Sequence, residues 1–269
     1  MRLTVLTDNC TRVGTTFWGE PGLSYLIEVD GKKVLFDTGF SELCVRNADA
    51  LGNSLSDLDI IILSHGHGDH TGGLEYVLEV AASNEIRLVT HPLTVVEKQK
   101  DGRQFGLTVA LEKLQQSYTL KLSREPVWLS EHLIFLGEIP RRHSFELQDP
   151  LGERLEKGVF VPDDLLDDSA LALRTDEGLT IITGCSHAGI CNIIDYAREV
   201  CQQTRVLTVI GGFHLCKADE QARKTAEFFR DNQITNLYPC HCTSFEAKAV
   251  IHTIVPIHDV AVGTIIDLN

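Results

Sequence analysis

No run of eighteen apolar residues occurs anywhere in the chain, so no segment has the length of a membrane-crossing helix, which needs about 20. A secretory core is missing too: Met1-Arg2-Leu3-Thr4-Val5-Leu6-Thr7-Asp8 enters a strand-like pattern at once, with no cleavage site after it. The expected location is therefore the cytoplasm. Positive charge is scarce, since 24 Lys and Arg face 38 Asp and Glu for a formal net charge of −14. That balance argues against nonspecific partners of the nucleic-acid or anionic-membrane kind. It leaves an anionic small substrate open, because a bound metal reverses the local field. Nor are the eight cysteines (10, 44, 185, 191, 201, 216, 240 and 242) dense enough for a disulfide framework. Most are expected to be reduced, several as small buried side chains. No repeat or low-complexity linker interrupts the 269 residues. One α/β domain over 1–269 is expected, long enough to bury a large core, with a less regular, insert-like region at about 92–168.

Strand-like runs at 2–7, 23–29 and 33–37 open the chain, and Asp30-Gly31 marks a hairpin between the second and third. A helix is expected at 74–80, a strand at 86–89, a helix around 107–116, and strands near 118–122 and 133–136. The stretch 140–168 reads as loop-rich. The second half alternates regularly: strands near 170–174 and 179–183, a helix near 189–201, a strand at 206–210 and a helix at 219–231. A short strand near 235–238, a helix near 245–252 and terminal strands complete it. Two such halves, each with antiparallel strands followed by helix–strand units, point to two sheets with helices outside.

The densest chemistry lies in Ser64-His65-Gly66-His67-Gly68-Asp69-His70-Thr71-Gly72-Gly73. Three imidazoles and a carboxylate fall within six positions, directly after the apolar run Leu58-Asp59-Ile60-Ile61-Ile62-Leu63, which reads as a buried strand. Side chains leaving the end of such a strand have fixed directions. The four glycines are expected to supply backbone angles that other residues avoid. Neutral imidazole and carboxylate suit zinc, iron or manganese.

His65-x-His67-x-Asp69-His70 resembles the signature of the metallo-β-lactamase superfamily. Phe36-Asp37-Thr38-Gly39 looks like that family's earlier Asp motif, and Pro239-Cys240-His241-Cys242-Thr243 like its last His motif. The resemblance implies a four-layer αββα sandwich of two mixed sheets and one or two metals. It implies further that His65 and His67 belong to the first ion, Asp69 and His70 to the second, with His241 as the last ligand. Two divalent ions are expected, zinc in first place, with iron or manganese as alternatives.

Where many members carry a bridging Asp, this chain has Thr183-Gly184-Cys185-Ser186-His187-Ala188-Gly189 after the apparent strand 179–183. Thiolate and imidazole are both good zinc ligands. His187 is preferred because a bridging thiolate oxidises readily; Cys185 is then a small buried residue or a ligand in its place. A sharp turn between Gly184 and Gly189 is expected to aim one of the two at the metal and divert the other. His214, in Gly211-Gly212-Phe213-His214-Leu215, is expected behind the ligands or against substrate, where such groups orient the ligands. If Cys240-His241-Cys242 stays extended, its two thiols point away from His241. His91, His132, His143, His252 and His258 are assigned ordinary packing or surface roles.

Further segments narrow the resemblance. Asp8-Asn9, Trp18-Gly19-Glu20 before Gly22-Leu23-Ser24, Gly137-Glu138-Ile139-Pro140-Arg141, and the Cys185, His214 and His241 motifs together look like the subgroup named for the dihydropterin–ribofuranosylaminobenzene-phosphate synthases. The resemblance implies a transferase on a phosphorylated small molecule, joining a pterin-methyl diphosphate to an arylamine and releasing diphosphate. Two adjacent ions could equally support hydrolysis of a phosphoester. Asp69 is the expected proton acceptor as well as a ligand. Arg141 and Arg142 are candidates for the substrate phosphate, against the plainer reading of a solvated basic pair. Glu138 is a possible further carboxylate, and the acidic run 163–168 reads as a solvated loop that could edge the site. A di-iron redox protein and a binding module with a vestigial site are the alternatives from other classes. The intact ligand set opposes the module, and the acidic balance opposes an RNA nuclease.

Overall fold

A computed structural model describes residues 1–83 and 85–268. The chain forms two compact units, one from Met1–Arg124, Asp149–Asp167 and Ala261–Asn269, the other from Glu125–Gln148 and Asp168–Val260.

The first unit is built on a seven-stranded sheet in the order Ile265–Asp267, Arg2–Thr7, Ser24–Val29, Lys32–Phe36, Ile60–Ile62, Arg87–Thr90, Thr119–Leu122. Its first three pairings are antiparallel and its last three parallel. Asp30 and Gly31 both take positive φ in the tight turn of the second antiparallel hairpin, which matches the twist of its strands. The inner parallel strand Ile60–Ile62 is apolar throughout because both faces are covered; Ile61 and Ile62 are wholly buried. The helices Leu43–Ala50, Leu74–Val80 and Leu111–Ser117 place Cys44, Leu74, Val77 and Leu114 in one core with Leu6, Leu26, Leu35 and Leu63. In register, Phe36 stands beside Ile62 and Ile62 beside Val89. The segments Asp37–Thr38 and Ser64–His70 thus leave neighbouring carboxyl ends of parallel strands, where ligand-binding crevices form in such sheets.

A four-stranded sheet, ordered Val159–Pro162, Glu153–Glu156, Lys98–Lys100, Arg103–Gln104, belongs to the same unit. It replaces much of the irregular region expected at 92–168. Its strands are two to four residues long, and all but Val159–Pro162 are rich in Lys, Arg, Glu and Gln, so they carry no apolar alternation to read. The helix Leu43–Ala50 was likewise unexpected.

The second unit contains a six-stranded sheet: Leu237–Pro239, Val206–Gly211, Leu179–Thr183, Ala170–Arg174, Leu133–Phe135, Val127–Trp128. The first three strands run parallel and the rest antiparallel. Helices Ile190–Cys201, Glu220–Asp231 and Phe245–His252 bury Ile193, Ile194, Ala197, Ala222, Phe229, Ala247 and Ile251 with the strand residues Ile181 and Val209. Asp219 and Ser244 cap the last two helices by accepting from Ala222 N and Ala247 N, each contributing about 1 kcal/mol. Thr183, Gly211 and Pro239 end three adjacent parallel strands, and the segments carrying Cys185, His187, His214 and His241 follow them. Among the described residues no helix is long and apolar enough to cross a membrane.

Candidate metal centre

Asp37 organises the donors of the first unit. Its Oδ1 accepts from Ser64 N at 2.7 Å, and its Oδ2 accepts from Ser64 Oγ at 2.7 Å and meets His70 Nδ1 at 2.7 Å. Hydrogen-bond accounting then fixes two tautomers. A carboxylate only accepts, so His70 carries its proton on Nδ1. Ser64 Oγ has given its single proton to Asp37, so it accepts from His65 Nδ1, 2.9 Å away. Both rings present Nε2 as a lone-pair donor, the form a metal requires. The His65 ring lies 4.6 Å from His67 and 4.3 Å from His70, centre to centre. The Asp69 carboxylate, about one-third exposed, stands 3.7 Å from His70 Nε2. Burial pushes the His67 pKa down to about 3 against the opposing pull of Asp167 and Asp69, which keeps that imidazole neutral. A neutral-imidazole and carboxylate set of this kind fits a divalent transition metal.

Gly66, Gly72 and Gly73 serve close approach rather than unusual dihedrals, while Gly68 has room for a Cβ. Gly66, Gly68, Gly72 and Gly73 are absent from the positive-φ positions, contrary to the expectation above. A Cβ on Gly73 would come within 2.0 Å of Thr38 O, one on Gly72 within 2.4 Å of Phe40 O, and one on Gly66 within 2.6 Å of Lys98 Cε. The turn is packed directly on neighbouring backbone at these three positions, so side chains are excluded there.

The acidic run 163–168 is not a solvated loop. Asp163, Asp167 and Asp168 are each at most 1 % exposed. Lys98, equally buried, reaches Asp163 Oδ2 at 2.5 Å and Asp167 Oδ1 at 3.0 Å. Burial disfavours charge on Lys98, but the two carboxylates outweigh it and raise its pKa. Asp167 has the mirror balance, burial opposing and Lys98 prevailing, and its pKa is lowered. Asp168 accepts from Ala188 N at 2.9 Å within the second unit. Sequence reasoning missed Lys98 altogether, and it quoted Asp37 in a motif without giving it a role.

In the second unit the turn after Leu179–Thr183 is held by Ser186 Oγ on Gly212 O at 2.6 Å, with Ser186 and Gly189 at positive φ. Its outcome differs from the expected divergence. Cys185 Sγ lies within 4.8 Å of a His187 ring nitrogen and, separately, within 4.8 Å of a His241 ring nitrogen, so neither Cys185 nor His187 is diverted. His214 stacks its ring 4.2 Å from that of His187. The segment 240–242 is not extended, because His241 takes φ +50°. The two thiols therefore part: Cys240 is buried, while Cys242 Sγ accepts from His214 N and donates to Cys185 O.

Arg142 Nη2 is engaged by Glu199 Oε2 at 2.6 Å on the surface of the second unit, and Arg141 beside it is partly buried. His143 pairs with Asp195 and His258 stacks on Tyr238, ordinary roles as expected.

The pattern of the metallo-beta-lactamase superfamily matches residues 18–198, and the chain belongs to that superfamily and has its fold. Across 92% of this chain and 89% of the relative, it is 33% identical to the 7,8-dihydropterin-6-methyl-4-(beta-D-ribofuranosyl)-aminobenzene-5'-phosphate synthase of Methanocaldococcus jannaschii. A second protein of that organism, uncharacterized, is 31% identical over 90% of this chain. The crystal structure of a metal-dependent hydrolase of the beta-lactamase superfamily superposes with a TM-score of 0.85 at 30% identity, covering 100% of this chain and 99% of that one. Family and full-length likeness together support a metal-dependent enzyme.

Proposed function

We propose that the protein holds two divalent metal ions, zinc foremost, and transfers a group from a diphosphate-activated small molecule to an amine, in the manner of the synthase it resembles. The ligands proposed after the family pattern are His65, His67 and His187 for the first ion and Asp69, His70 and His241 for the second, with Cys185 added because its thiol neighbours both His187 and His241. The observation that carries the reading is the Asp37–Ser64–His65 and Asp37–His70 network, which orients two imidazoles by their Nδ1 atoms. Such outer partners characterise metal ligands. Bound ions would neutralise charge on a departing diphosphate and acidify a bound water.

The chain's own residues supply the rest. Asp69, partly open to solvent, is proposed to take the proton released as the amine attacks. Arg141 and Arg142 are the proposed candidates for the substrate phosphate, Arg142 through a guanidinium that also meets Glu199. Hydrolysis of a phosphoester is the second reading, favoured by the full-length likeness to a metal-dependent hydrolase. A cytoplasmic site of action belongs to both readings.

Metal analysis of protein purified without added metal, followed by an assay of diphosphate release from a pterin-methyl diphosphate, tests the proposal. Release that requires an arylamine supports transfer. Release without it, or turnover of simple phosphoesters, supports hydrolysis. Protein that retains no metal and gains no activity with added zinc, iron or manganese would overturn both.

A further inference from the structure

We propose that Lys98 is a positioning residue of the turn that carries His65 and His67, acting through Asp167, a role that rests on the metal reading above. Lys98 and Asp167 are 1 % and 0 % exposed. One Asp167 oxygen takes the Lys98 ammonium at 3.0 Å, and the other accepts from Gly66 N at 2.8 Å, with Thr94 Oγ1 at 3.5 Å. The carboxylate is thereby fixed at both ends, and the backbone it grips is the single residue separating the two imidazoles. The Lys98 stem closes the same spot from the side, since a Cβ on Gly66 would lie 2.6 Å from Lys98 Cε.

The strand bearing Lys98 grips the turn a second time through backbone. Phe105 N donates to Lys98 O at 3.0 Å, Phe105 O accepts from Gly68 N at 3.0 Å, and Gly106 bridges to His67. Residues 67 and 68 are pinned to the returning arm of the hairpin that Lys98 begins, and residue 66 is held by Asp167. Stability alone is a poor account of this cluster. A buried ion group is often no better than well-packed apolar side chains of the same volume, and its value is greater where it fixes one arrangement. Here the arrangement fixed is that of a turn whose neighbours are proposed ligands. Asp163, which also meets Lys98 and accepts from Leu165 N, supplies the second negative charge without touching the turn.

Lys98→Met removes the ammonium from two buried carboxylates, leaving Asp163 with Arg154 at 3.6 Å, which can unfold the unit. Lys98→Met combined with Asp163→Asn removes one positive and one negative charge, so the net charge of the cluster stays that of the parent while the ammonium that grips Asp167 is lost. Two measurements decide the role. In metal-free protein, amide exchange at Gly66 is expected to quicken by on the order of tenfold while Ile61 in the strand stays protected. In chelator competition, Zn²⁺ affinity is expected to fall about 10- to 100-fold. Unchanged Gly66 protection in the folded double variant overturns the proposal, as does faster exchange with undiminished Zn²⁺ affinity. If the parent protein binds no Zn²⁺, the metal reading fails by itself, and the exchange measurement still decides whether Lys98 holds the turn.

Discussion

His70 Nδ1 lies 2.7 Å from Asp37 Oδ2, and neither side chain reaches solvent. The pair joins two strand ends that are neighbours in the parallel part of the sheet, and Asp37 N and Thr38 N complete the link by donating to Ile62 O and His70 O. Asp37→Asn tests the link cleanly. Asp37 sits at φ +55°, a conformation Asn also tolerates, so the substitution removes charge and acceptors without backbone strain. An amide cannot accept from Ser64 N, Ser64 Oγ and His70 Nδ1 together. Metal affinity by chelator competition is expected to drop about 10- to 100-fold, with unchanged circular dichroism; undiminished affinity would show that Asp37 is only structural.

Asp69→Asn keeps the size of a partly exposed side chain and removes both the proposed anionic ligand and the proposed proton acceptor. Turnover is expected to fall by about 10²- to 10⁴-fold, while the fold persists because apolar strands supply its core. Near-normal turnover in the variant would exclude both roles.

What the sequence made legible was local. Imidazoles and a carboxylate spaced within six positions after an apolar run announce themselves, and so do the strand–turn–helix segments around Cys185 and His241. The acidic run was misjudged because its partner is Lys98, 65 positions from Asp163 and 69 from Asp167, and charge alternation in a short hairpin looks like any solvated loop. The turn glycines were picked out for the wrong physical reason. Their spacing shows that side chains are absent, but only the packed backbone of Thr94, Phe40 and Thr38 shows that none would fit at Gly66, Gly72 and Gly73. Cys240 and Cys242 were judged on an extended backbone that His241, in the left-handed region, does not adopt.

His67 sets a pH dependence. Burial lowers its pKa from 6.5 to about 3. As pH falls below 6.5 the unfolded chain takes up this proton and the folded metal-free protein does not. The stability due to the neutral ring is therefore fully present above pH 6.5 and is lost as pH drops toward 3. The His67 ring resonances of metal-free protein should stay constant from neutral pH down to about 5. A titration midpoint near the ordinary histidine value would contradict the burial argument.

Cys185 is the thiol at the position where the family resemblance led to the expectation of a bridging carboxylate. Its Sγ is within 4.8 Å of a ring nitrogen of His187 and within 4.8 Å of one of His241, a separation comparable to what a metal–thiolate bond of about 2.3 Å and a metal–imidazole bond of about 2.0 Å can span together. Cobalt substitution reads the thiolate directly, by a sulfur-to-metal charge-transfer band in the near ultraviolet. The band is expected in the parent protein, absent in Cys185→Ser, and retained in Cys242→Ser, because Cys242 Sγ is occupied by the backbone at His214 and Cys185. His187→Ala is expected to weaken metal binding while keeping the band, since the thiol remains. A cobalt-loaded parent with no such band would return Cys185 to the role of a buried packing residue and leave the imidazole as the ligand of that turn.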